Sequence, residues 1–269
     1  SGTVHVLDLV HRDRHDEFKE RLKASAPNDC LFIGSPVYRD MAVPPMIEFL
    51  DSLPAGNGCN VVPFITWGGA FSGIALWQMG RELTHKGFNL IGGAKVLGVH
   101  SMMWSHEEPV GEGHPDADDD KVVSEFAQAI YERLSDNKTQ SLPLEALDYN
   151  AEVHTTDLKK KLRQPWLIIP KTVDEDKCTQ CGVCEEVCPV GAIKLSDYPV
   201  FLQSCFDCFN CIRLCPEDAI KSAVPFEQIH GMILDRAQKF NEKPHTQVFI
   251  SRFTGVKPFD ARIETRIFS

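Results

Sequence analysis

Ten cysteines occur in the 269 residues, and eight of them fall between positions 178 and 215. The first run reads Cys178-Thr-Gln-Cys181-Gly-Val-Cys184-Glu-Glu-Val-Cys188-Pro189, the second Cys205-Phe-Asp-Cys208-Phe-Asn-Cys211-Ile-Arg-Leu-Cys215-Pro216. Both have the spacing C-x2-C-x2-C-x3-C-P. A shift of 27 positions superimposes the cysteines and the proline, and also Ala192-Ile193-Lys194 on Ala219-Ile220-Lys221. The segment is therefore an internal duplication. Only Cys30 and Cys59 occur ahead of it, which favours metal ligation by reduced thiolates over the disulfide framework of a small secreted domain. Zinc takes four tetrahedral ligands, usually from paired C-x2-C elements, and has no use for two complete runs with prolines.

On these residues the stretch resembles the two-cluster bacterial ferredoxins over roughly 50 residues, with every motif position matching. The resemblance implies two [4Fe-4S] clusters with crossed ligation: Cys178, Cys181, Cys184 and Cys215 on one, and Cys205, Cys208, Cys211 and Cys188 on the other. Three cysteines two residues apart wrap a tight loop around three corners of a cube. The fourth thiolate arrives from the other run, so the clusters are locked together. Pro189 and Pro216 fix φ after the crossing cysteines and turn the chain away. Gly182 permits close backbone approach to the first cluster. Its counterpart Phe209 predicts apolar shielding of the second, and with it a different potential.

These ligands need a larger body to hold them. Residues 4–100 alternate strand-like and helix-like runs, an α/β pattern. Strands are predicted at Val4–Leu9, 30–34, 61–66 and 95–100, and helices at 15–25, 44–52, 73–86 with Gly87 as a stop, and 121–134. The last carries Val122, Phe126, Ile130 and Leu134 at four-residue spacing, a core stripe. Two loops at predicted strand ends are unusual: Gly34-Ser35-Pro36-Val37-Tyr38, and Trp67-Gly68-Gly69-Ala70-Phe71-Ser72-Gly73. The second combines three glycines with two flat aromatic faces, a place for a planar ring system. Neither G-x-G-x-x-G nor a Walker A loop occurs, which removes the main support for dinucleotide or nucleoside-triphosphate binding.

Those loops, the Pro44-Pro45 helix start, Thr66-Trp67-Gly68-Gly69 followed by Gly73-Ile-Ala-Leu-Trp77, and the loop from Gly111 to Asp120 resemble a flavodoxin domain. With a ferredoxin following, the order is similar to the flavodoxin-ferredoxin fusion proteins of anaerobes. The resemblance implies an α/β flavodoxin-like open parallel sheet plus a small α+β two-cluster ferredoxin-like domain. It further implies FMN held by Ser35, Pro36, Val37, Tyr38, Thr66, Trp67, Gly68, Gly69, Phe71 and Gly73, with Tyr38 and Trp67 against the flavin. A flavodoxin opens with a strand and a Ser/Thr-rich phosphate loop, and both lack a counterpart ahead of Val4–Leu9, which aligns as a second strand. The sequence is thus expected to begin partway into the domain. The alternative makes Val4–Leu9 the first strand and His11–His15 the phosphate loop.

The expected organisation is a flavodoxin-like domain over 1–138, a linker over 139–170, the ferredoxin domain over 171–223, and a helix near 226–240 with an irregular tail over 224–269. His106, His114, Asp116 and Asp118–Asp120 read as a solvated loop with a helix cap, and Cys30 as a buried hydrophobe. The formal charge of −10 reaches about −14 once eight thiolates and two clusters are counted. Nucleic acid and anionic membranes are therefore poor partners, and basic redox proteins good ones. No apolar run is long enough for a membrane helix and no signal peptide is evident, so a cytoplasmic protein is expected. No residue stands out as a general acid or base. The expected function is electron transfer between the clusters and FMN, serving a low-potential partner. The alternative is a flavin-free, two-cluster subunit of a larger redox complex whose first domain is a docking scaffold.

Overall fold

Residues 3–136, 139–150, 155–251 and 266–268 are described by a computed structural model. The first half contains β1 (Cys30–Tyr38), β2 (Met41–Ala42), β3 (Asn60–Trp67), β4 (Asn89–Leu90) and β5 (Gly92–Leu97), with α1 (His15–Lys23), α2 (Pro44–Ser52), α3 (Ala75–His85) and α4 (Ala117–Ser135). β1, β3 and β5 pair in parallel, so both faces of the sheet must be covered. On one face α2 and α3 set Met46, Phe49, Leu50, Leu76, Met79 and Leu83 against Leu31, Ile33, Val61 and Ile65. On the other, Phe126 and Ile130 of α4 meet Val62, Ile91 and Ala94. Local chemistry sets the helix starts. Prolines occupy the first turn of α2, where the missing N–H costs nothing. Asp116 and Asp119 form a reciprocal capping box at α4.

A short α5 (Thr155–Lys160) leads to the cysteine-rich lobe: β6 (Lys171–Val173), α6 (Val183–Glu186), β7 (Ile193–Leu195), β8 (Pro199–Phe201), α7 (Asn210–Arg213) and β9 (Ile220–Ser222). β6 pairs with β9 and β7 with β8, both antiparallel. The chain then forms α8 (Phe226–Phe240), β10 (Gln247–Ser251) and β11 (Arg266–Phe268).

Three expectations change. Val4–Leu9 is irregular backbone and joins no ladder among the described residues. Val4 and Val6 stand 84% and 76% exposed, while Leu7 and Leu9 lean on the α2 core, so its alternation serves packing without a strand partner. Second, the tail is not irregular throughout, because β10 pairs antiparallel with β5 and is buried along its whole length. Third, the sheet is therefore mixed and not purely parallel, in the order β11-β10-β5-β3-β1-β2. The cysteine-rich lobe lies in sequence between two adjacent strands of one sheet, so β10 belongs structurally to the α/β sheet and not to a tail.

Candidate metal centre

The duplication read from spacing is also a duplication of backbone geometry. Gln180 and Asp207, 27 positions apart, both have positive φ (58° and 64°), as do Gly182 and Phe209 (81° and 59°) and Gly191 and Asp218 (61° and 49°). Glycine reaches this region freely. Phe209 does not, and it is held there by burial to 1% exposure. Gly182 and Phe209 each precede the short helix, α6 or α7, that carries the third cysteine of its run.

Two cavities result. One is lined by Cys178, Cys181, Cys184 and Cys215, the other by Cys188, Cys205, Cys208 and Cys211. Each thus gathers three thiols from one run and the last from the other, a donor set that fits a [4Fe-4S] cluster. Backbone N–H groups already face the sulfurs: Ala192 N donates to Cys188 Sγ at 3.1 Å, Ala219 N to Cys215 Sγ at 3.4 Å and Asp207 N to Cys205 Sγ at 3.4 Å. Burial pushes the thiols of Cys184 and Cys208 up, and that of Cys211 up to about 12. Metal loading must therefore displace protons from these groups.

The surroundings of the two cavities differ. The first is open at Cys181, which is exposed, and has Glu217 in its wall. The second is walled by Phe201, Phe206 and Phe209 and contains Lys171. Lys171 Nζ lies 2.8 Å from Asp207 Oδ1 and 3.5 Å from Cys205 Sγ. Burial would lower the pKa of Lys171, but the hydrogen bond and charge of Asp207 outweigh it and raise that pKa above its ordinary value. Asp207 also accepts from Arg39, across from the α/β domain, at 3.1 Å. Sequence reasoning missed Lys171, Asp207 and Arg39; the one available signal was the charge difference between Gln180 and Asp207 in otherwise matching repeats.

Most of the residues expected around a flavin are engaged within the chain itself. Ser35 is buried and its hydroxyl donates to the Pro36 carbonyl and accepts from Val43 N. Pro36 is exposed, and Val37 packs against the α2 and α3 core. Tyr38 packs edge-on against Phe206 of the lobe, 5.4 Å between centroids, with its hydroxyl 3.0 Å from Ser101. At the other loop Thr66 is exposed, while Trp67, Gly69, Phe71 and Gly73 are buried and Gly68 half-buried. Phe71 stacks on Phe240 of α8 at 3.9 Å, and Ser72 donates from both N and Oγ to Glu242. Glu242 in turn pairs with Lys95 at 2.5 Å, whose ammonium lies 4.7 Å from the Trp67 ring. Gly73, with φ of 64°, is held against Asp40, whose carbonyl would stand 2.2 Å from an added Cβ. Among the described residues, Trp67, Phe71, Ser72 and Gly73 of the second loop are thus engaged with the chain's own side chains and backbone.

His114, Asp116 and Asp119 converge, with His114 Nδ1 2.6 Å from Asp119 Oδ2. Both carboxylates are engaged in the α4 capping box. Cys30 is part-buried in β1, where burial pushes its thiol up to about 12.

Residues 171–194 match the family of 4Fe-4S binding domains. Among curated proteins, an uncharacterized ferredoxin of Methanocaldococcus jannaschii is 70% identical over 20 residues, which is 7% of this chain and 32% of that protein. The chain spans about a third of the length of the curated relative it matches. The protein therefore contains a 4Fe-4S domain of ferredoxin type, inside a larger α/β body. Among the described residues, no helix is long and apolar enough to cross a membrane.

Proposed function

We propose that the protein is an iron-sulfur electron carrier holding two [4Fe-4S] clusters. The carrying observation is the pair of cavities, each ringed by four cysteines drawn from both runs. A [4Fe-4S] cluster supplies one-electron transfer when bound. The protein's part is to hold, shield and electrostatically bias each cluster. Cys178, Cys181, Cys184 and Cys215 would hold the first, near solvent, and Cys188, Cys205, Cys208 and Cys211 the second, against the α/β domain.

The fuller reading adds FMN at Ser35–Tyr38 and Thr66–Gly73, so that paired and single electrons interconvert. The packing of Phe71 on Phe240 and of Ser72 on Glu242 favours the flavin-free alternative, in which the α/β domain is a scaffold within a larger redox assembly. Anaerobic purification followed by iron and flavin assay tests both. About eight irons per chain without flavin is the expected result. Iron near four would overturn the two-cluster reading, and one FMN per chain would restore the flavin.

A further inference from the structure

The duplication supplies an internal control: two cavities with the same cysteine frame and different charges. Where the first cysteine run has Gln180 the second has Asp207, 27 positions on, at matching φ. Glu217 lines the first cavity, and its counterpart Val190 lines the second. Lys171 lines only the second, and the residue 27 positions on is the neutral Tyr198.

The cation is strongly placed. The Lys171 side chain is 1% exposed, its Nζ lies 3.5 Å from Cys205 Sγ and 4.9 Å from the Phe209 ring centroid, and it donates to Asp207 and to the Ile169 carbonyl. Asp207 is 3% exposed and shared with Arg39, so the three groups together carry one positive charge. In a wall of phenylalanines such a charge is poorly screened, and it favours the more negative, reduced state of whatever the four sulfurs hold. A carboxylate at the rim of the first cavity acts in the opposite sense.

The geometry points to Lys171, backed by Asp207 and Arg39, as the group that sets the second cluster at a higher reduction potential than the first. An electron supplied by an external low-potential one-electron donor then comes to rest at the site shielded by the α/β domain. One electron is redistributed between the clusters and no bond is made or broken. This inference rests on the two-cluster reading.

The test is a redox titration of the anaerobic, iron-loaded full chain followed by electron paramagnetic resonance, with iron counted on the same sample. Two potentials are expected. Lys171→Met should lower the higher one until the electron's preference for that cluster falls at least tenfold, about 59 mV for a one-electron couple, leaving the lower one in place. Lys171→Arg should restore it. Asp207→Asn, which removes a negative charge from the same group, should move the higher potential upward; if Lys171→Met fails to assemble clusters, this opposite shift carries the test. Eight irons with both potentials unmoved, or moved together, overturn the inference alone. Iron near four overturns the two-cluster reading, and the inference with it.

Discussion

Two buried carboxylates show how individual residues hold this molecule together. Lys95 and Glu242 are 2% and 8% exposed, and the ammonium lies 4.7 Å from the rings of both Trp67 and Tyr149. A buried pair of this kind adds little over an apolar pair, but losing one partner leaves a charge in low dielectric. Glu242→Ala is therefore expected to cost about 3–5 kcal/mol by urea unfolding, and Lys95→Met in the same chain to recover most of it. Asp119 gives a pH prediction. Burial alone would raise its carboxyl, but hydrogen bonds from Thr246, His114 and the Asp116 amide hold it below the ordinary value. A carboxyl depressed in the folded state stabilises the fold above its unfolded value of about 3.9, and that contribution disappears as pH falls through the folded value. The urea midpoint should therefore fall on acidification below about pH 4 more steeply in the native chain than in Asp119→Asn.

At the scale of elements, β10 decides whether the sheet is whole. Phe249 is fully buried and stacks on Tyr149 at 5.0 Å, so Phe249→Ala should cost about 3–5 kcal/mol, read from the shift in denaturant midpoint. The sequence did not disclose this strand. Gln247–Ser251 is a short apolar run, and its partner β5 lies about 150 residues earlier, a relation no local period encodes. What was legible had a local cause. The start of α2 follows from its two prolines, the bounds of α8 agree with the expected 226–240, and the cysteine loops follow from spacing alone. The loop at 66–73 was ambiguous in sequence, because glycines and aromatics suit a ligand and a packed turn equally. Only the positions of Phe240 and Glu242 distinguish the two. Lys171 was hidden for a similar reason, since it reaches Cys205 from 34 positions away.

Over the whole molecule, the lobe and the α/β body are joined through Arg39–Asp207, Tyr38–Phe206 and the bond from His230 of α8 to the Met102 carbonyl. The lobe's own core is small, built from Ile193, Phe209, Ile212, Ile220 and a few neighbours around the cysteines. Stripping iron should therefore remove hydrogen-exchange protection from residues 171–222 while β3, β5 and β10 keep theirs; equal loss in both regions would mean that the two fold as one unit. The placement of β10 beside β5 also has a consequence for how the protein is made. The ribosome must add about 150 residues after β5 before its neighbour exists, which takes about 8–30 s at roughly 5–20 residues per second. During that interval one edge of a nascent parallel sheet stays without its strand, a template for association with other chains. The cysteine loops leave the ribosome before the strand that closes the sheet, so biosynthetic iron delivery meets a chain whose body is still unfinished.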